Sequence, residues 1–91
     1  MTNIRVEHKL GLQGAVERFG QVAQRHGMVL HSSDGGHSGS IEKKVPFVGA
    51  VQGRFVVSET AIDITVDSAP AFLGPDTIRR MVSDELSKAL A

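Results

Sequence analysis

The stretch that most constrains this chain is residues 51–67, Val-Gln-Gly-Arg-Phe-Val-Val-Ser-Glu-Thr-Ala-Ile-Asp-Ile-Thr-Val-Asp. Two alternating runs flank a short polar turn, which is the pattern of a β-hairpin. In the first run Val51, Gly53, Phe55 and Val57 share a face. In the second, Ile62, Ile64 and Val66 share a face, and Ala61, Asp63, Thr65 and Asp67 point the other way. Successive strand side chains alternate sides, so one wall of this hairpin is apolar and the other polar. A lone two-stranded hairpin is marginal in water, so the apolar wall needs a cover.

Amphipathic segments on either side supply that cover. Near the start, Ile4, Val6, His8 and Leu10 alternate with Arg5, Glu7 and Lys9, a half-buried strand with His8 on its apolar side. A helix follows. Leu12, Ala15, Val16, Phe19, Val22, Ala23 and His26 recur at the i, i+3, i+4, i+7 spacing of one stripe. Gly27 is placed to stop it in a left-handed turn. Gly11 reads as the entry cap. Gly14 and Gly20 cost helix propensity and are there either to let backbone approach the sheet or because they are tolerated. At the other end, Pro75 fits a first helical position and Asp76 suits the helix dipole. Ile78, Met81, Val82, Leu86, Ala89 and Leu90 then make an apolar stripe that Glu85 interrupts.

The middle of the chain is less regular. Residues 28–33 predict a second strand, Asp34-Gly35-Gly36-His37-Ser38-Gly39 a turn, and residues 40–45 a third strand. Lys43 shares parity with Ile41 and Val45. A bulge would explain that, as would an edge strand whose Lys43 and Lys44 block pairing. Pro46 supports edge placement or a strand end. The expected order is β-α-β-β-β-β-α, a single α+β domain over residues 1–91. The simplest way for both helices to bury a stripe is to lie on one face of a mainly antiparallel sheet. The other face, with Gln52, Arg54, Asp63 and Thr65, is left to water or a partner.

Composition narrows the function classes. Ninety-one residues bury one modest core. Ten basic and ten acidic residues cancel, which argues against a broad electrostatic grip on nucleic acid or anionic lipid. The same neutrality favours self-association, so a homodimer is an open expectation. Without cysteine there is no thiol nucleophile, thiolate metal site or disulfide. No apolar run approaches a membrane span, and the first twenty residues do not read as a secretory signal, so the expected compartment is the cytoplasm. The aromatics are Phe19, Phe47, Phe55 and Phe72, with no Trp or Tyr for a base-stacking platform.

Chemistry-bearing candidates are few. His31, Asp34 and His37 are the most site-like cluster, since imidazole and carboxylate bind zinc, but their spacing matches no strong metal signature and polar residues are ordinary in such a turn. The glycines around His37 lack the Lys-Ser/Thr ending of a P-loop and lead into a strand. Glu7 and His8 point to opposite faces and cannot pair. Asp63 or another sheet neighbour stays open as an acid–base partner of His8, but the favoured reading is a half-buried histidine with a backbone partner. The serines have no nucleophile-elbow context. No catalytic residue, metal or cofactor is assigned, and the chain is read as a non-enzyme. An interaction surface is sought instead at the apolar anchors Phe72 and Leu73 and at Arg79 and Arg80 on the tail helix.

The order of these signals resembles one small bacterial family. The first strand runs into His8-Lys9-Leu10-Gly11 and an alanine-bearing helix. A glycine-led strand follows later, Val51-Gln52-Gly53-Arg54-Phe55-Val56-Val57. Then come Ala61-Ile62-Asp63-Ile64-Thr65-Val66, Phe72-Leu73 and the amphipathic tail. In this it is similar to the polyhydroxyalkanoic acid system proteins, also described as polyhydroxyalkanoate granule-region proteins. The likeness spans nearly the whole chain. Residues 28–49 depart from it, with Phe47 as their one aromatic. The resemblance implies a non-enzymatic accessory protein of storage-polyester metabolism that binds a granule surface or a granule protein. It implies no catalytic residue, and His8, Leu10, Gly11 and Gly53 are read as fold positions. The alternative is a small binding module that holds an apolar, acyl-type ligand between helices and sheet, for which a cavity there is the supporting observation.

Overall fold

A computed structural model describes residues 2–45, 49–70 and 74–90, apart from the side chains of Asp34 and Val45. The element order is β1 (Thr2–Glu7), α1 (Gly11–Arg25), β2 (Val29–Ser33), a short 3-10 turn (Asp34–Gly36), β3 (Ser38–Val45), β4 (Gly49–Val57), β5 (Ala61–Ser68) and α2 (Pro75–Leu90). This is the expected β-α-β-β-β-β-α chain of an α+β protein. The strands form one five-stranded sheet in the order β1-β5-β4-β3-β2, every neighbour antiparallel. Strands β2 to β5 are a meander joined by short connections. β1 is added at the far edge, beside β5.

The organising hairpin folds with the facing its alternation demands. Gly53, Phe55 and Val57 of β4 and Ile62, Ile64 and Val66 of β5 are buried, while Gln52, Arg54, Val56 and Asp67 are exposed. Ile4 and Val6 of β1 join the same face, and Ala15, Phe19 and Val22 of α1 and Ile78, Leu86 and Leu90 of α2 cover it. The Phe19 and Phe55 rings meet with centroids 4.9 Å apart, tying α1 to the sheet. Burying a Phe, Leu or Ile side chain contributes about 1.5–3 kcal/mol each, so this single apolar layer is the main stabilising term.

The outer face is polar and partnered strand to strand. Arg5 lies directly opposite Asp63 and reaches it at 2.9 Å. Arg54 grips Asp67 with two nitrogens, at 3.1 and 3.0 Å. Gln52 donates to Glu42, and Thr65 to Asn3. Exposed pairs like these add little stability each, but they oppose a register slip.

Four expectations are corrected. First, β3 is not an edge strand and its pairing with β4 is unbroken; the edges are β1 and β2. Second, the irregularity lies in the hairpin, between Gln52 and Gly53, where Gln52 pairs Ser68 and Gly53 pairs Val66, leaving Asp67 as the extra residue. Gly53 is required there, because a Cβ would overlap the Thr65 carbonyl. Third, Ala61, placed on the polar side by parity, is fully buried. It opens β5 where the end of β1 closes over the turn, His8 N–H donating to the Thr60 carbonyl. Fourth, Met81 does not join the buried stripe of α2 and is 57% exposed. In addition, β3 begins at Ser38, two residues before the expected start.

Helix α1 ends as expected. Gly27 takes φ +70°, and Met28 N–H returns to the Ala23 carbonyl. Gly20 is exposed and approaches nothing, which leaves tolerance as the account of it. Gly14 does approach a neighbour, the Cβ of Leu10.

Candidate ligand cleft

The two helices do not meet along their whole length over the sheet. Between them lies an open cleft of about 440 Å³. Ile41, Val51, Ile64 and Val66 floor it from four residues on three strands. Phe19 and Val22 of α1 form one wall, and Ile78, Val82 and Leu86 of α2 the other. Ligand sites commonly fall at roughly 300–1,000 Å³, are mostly apolar and carry a few convergent polar groups.

The polar groups of this cleft come from three elements. His26, just past the end of α1, sets Nε2 3.2 Å from the Glu85 carboxylate of α2. Lys43 of β3 donates from Nζ to the His26 carbonyl at 3.0 Å. Asp84 and Lys88 complete the rim. Each residue of the His26–Lys43–Glu85 knot breaks the pattern of its own element. His26 closes an apolar helix stripe, Lys43 sits on the apolar parity of β3, and Glu85 interrupts the stripe of α2. Local reading met Lys43 and Glu85 as separate irregularities and His26 as the last member of a helix stripe; in the fold they converge. Lys43 can stay on the apolar face because its long stem runs along the cleft while its ammonium caps the carboxyl end of α1. The signal that could have located the site was this coincidence of polar intruders on faces that share one interior.

His8 is structural. It is buried, its Nδ1 accepts the Leu10 N–H at 3.2 Å, and its Nε2 lies 3.0 Å from the Ser58 carbonyl. That arrangement places the proton on Nε2, which donates to Ser58. Asp63, its conceivable acid–base partner, lies on the opposite face with Arg5.

Of the His31, Asp34 and His37 cluster, the side chains of His31 and His37 are described. His31 is exposed on the outer face of β2. Asp34 begins the 3-10 turn, and its side chain lies outside the described residues. His37 is half-buried, and its carbonyl accepts the Val57 N–H at 2.6 Å. Among the described residues, no three His, Cys, Asp or Glu side chains group as metal ligands. Phe72 and Leu73, the expected adhesive anchors, also lie outside the described residues. Arg79 and Arg80 are exposed on α2, and Arg79 approaches Asp76 at 3.7 Å. No helix among the described residues is long and apolar enough to cross a membrane. Compared with protein-family models, curated proteins and solved structures, the chain matches none.

Proposed function

We propose that this protein is a non-enzymatic binding module whose cleft between α1, α2 and the sheet holds an apolar, acyl-type ligand. The observation that carries the reading is the cleft itself, an open apolar space of about 440 Å³ in a fold this small. The chain of the ligand lies along Ile41, Val51, Ile64 and Val66. Its polar end meets the rim, where His26, Lys43 and Glu85 offer both donors and acceptors. The mixed charge of that rim suits a polar head without a strong net charge.

Titration of a fluorophore-tagged medium-chain acyl probe tests this. Wild-type protein binds it saturably and is stabilised against heat, since a ligand that binds only the folded state raises the melting temperature. Val51→Trp puts a large ring into the cleft from a half-buried position. It is expected to weaken probe binding by about tenfold or more, equivalent to roughly 1.4 kcal/mol, while the protein stays folded. Absence of saturable binding by wild type, or equal binding by the folded variant, overturns the proposal.

A second reading is favoured by the exposed Met81 beside Arg79 and Arg80 on α2. In it the protein is an accessory of polyhydroxyalkanoate metabolism that docks on a granule surface or granule protein, as its resemblance to the granule-region proteins implies. Fractionation of polymer-accumulating cells tests that role. Protein recovered wholly free of granules and of granule proteins rules it out.

A further inference from the structure

The two edges of the sheet are not alike. β1 carries Arg5 and Glu7, charged side chains of the kind that discourage a further strand. β2, Val29-Leu30-His31-Ser32-Ser33, carries no charge, no proline and no bulge, and its pairing with β3 is regular. It is an edge without the usual protection.

Its backbone direction can be read from its neighbour. The His31 carbonyl faces Gly39 of β3, so His31 turns its backbone groups inward. In an antiparallel ladder the inward and outward residues alternate, so Leu30 and Ser32 turn N–H and C=O to the open side. Side chains alternate too. Leu30 packs toward the core on the helix-covered face, which puts Val29, His31 and Ser33 on the outer face.

We propose that β2 pairs with β2 of a second copy of this chain, antiparallel and centred on His31, to make one continuous sheet across a two-fold axis. The register is chosen by self-complementarity. Centred on His31, Leu30 of one copy bonds Ser32 of the other and the reverse, so every outward backbone group of both residues is used. Centring on Leu30 or Ser32 engages only one residue of each strand. In the His31-centred register the two half-buried Leu30 side chains become diagonal neighbours on the helix face, and exposed Val29 lies against Ser33 of the second copy. No like charges meet along the seam, and the chain carries no net charge to oppose association. A five-residue edge makes a small, concentration-dependent contact, so the dimer forms by mass action.

The chain has no cysteine, so engineered ones report the register cleanly. His31 faces its own copy in a non-hydrogen-bonded pair, whose Cα separation of about 4.5 Å suits a disulfide. Under mild oxidation, His31→Cys is expected to give a covalent dimer on non-reducing gels. Ser33→Cys, whose copies lie well apart in this register, is expected to stay monomeric. Ser32→Pro removes an outward N–H and no bond to β3, so it is tolerated as an edge proline. By light scattering across a concentration series, wild type should move from monomer to dimer. Ser32→Pro should remain a monomer with unchanged circular dichroism. Wild type that is monomeric at submillimolar concentration overturns the proposal, as does a dimer that survives Ser32→Pro. So does crosslinking through Ser33→Cys or through Asn3→Cys on β1 in place of His31→Cys.

Discussion

Gly20 sits exposed in the interior of α1, with nothing within 4 Å of where a Cβ would stand. Alanine there is free of clash and gains helix propensity, so Gly20→Ala should stabilise the protein by about 0.8–1.0 kcal/mol. Gly53 has the same missing side chain for a different reason. It is buried beside the bulge, and a Cβ would overlap the Thr65 carbonyl, so Gly53→Ala should lower stability. Urea denaturation of both variants beside wild type checks the opposite signs; two shifts in the same direction would refute the assignment. The sequence allowed Gly20 to be either a close approach or a tolerated defect, because helical spacing does not say how near the neighbouring backbone comes. Gly53 was legible as a fold position, although the bulge that demands glycine was expected in the wrong strand. A bulge is defined by two strands together, and the parity of β3 alone could not place it.

At the scale of elements, the joints are made by side chains that reach carbonyls on a different element. Arg18 of α1 donates to the Ala89 carbonyl at 2.7 Å, and Lys43 of β3 caps His26, so a cation from elsewhere meets the carboxyl end of each helix. His8 does the same between β1 and the turn from β4 to β5. His8→Ala removes the partner of Ser58 and of Leu10 together, and should cost about 1–3 kcal/mol in a urea melt for the stranded buried groups. A midpoint unchanged within error would show that water replaces both bonds. The elements themselves were readable because each has its own period, near 3.6 for α1 and α2 and 2 for β1, β4 and β5. Their polar exceptions were not. Lys43 looked like the mark of an edge strand because an exposed lysine commonly serves there. Its actual role depends on where α1 ends, which lies outside β3's own sequence. A cavity between helices and sheet was named as what a binding module would need, but its place and lining could not be read for the same reason: it is the space two helices leave between them, and no single segment encodes it.

Across the whole molecule, the Phe19–Phe55 contact joins the helical layer to the sheet, and Phe55 is 1% exposed. Phe55→Ala should cost about 3–5 kcal/mol, a large share of the stability of a domain this small. Differential scanning calorimetry checks it, and an unshifted melting temperature would contradict the layering. The layering was foreseeable, since both helices and the hairpin each show one apolar side and only one arrangement buries all three. Strand order was not, and it carries a consequence for how the protein is made. Strands β2 to β5 each pair with the next along the chain, but β1 pairs only with β5, Arg5 opposite Asp63. On the ribosome, the first strand to emerge must therefore wait for the last. Until β5 is out, Ile4 and Val6 have no ladder to join, so the closing of the sheet is a late event in which the two ends of the β-structure find one another.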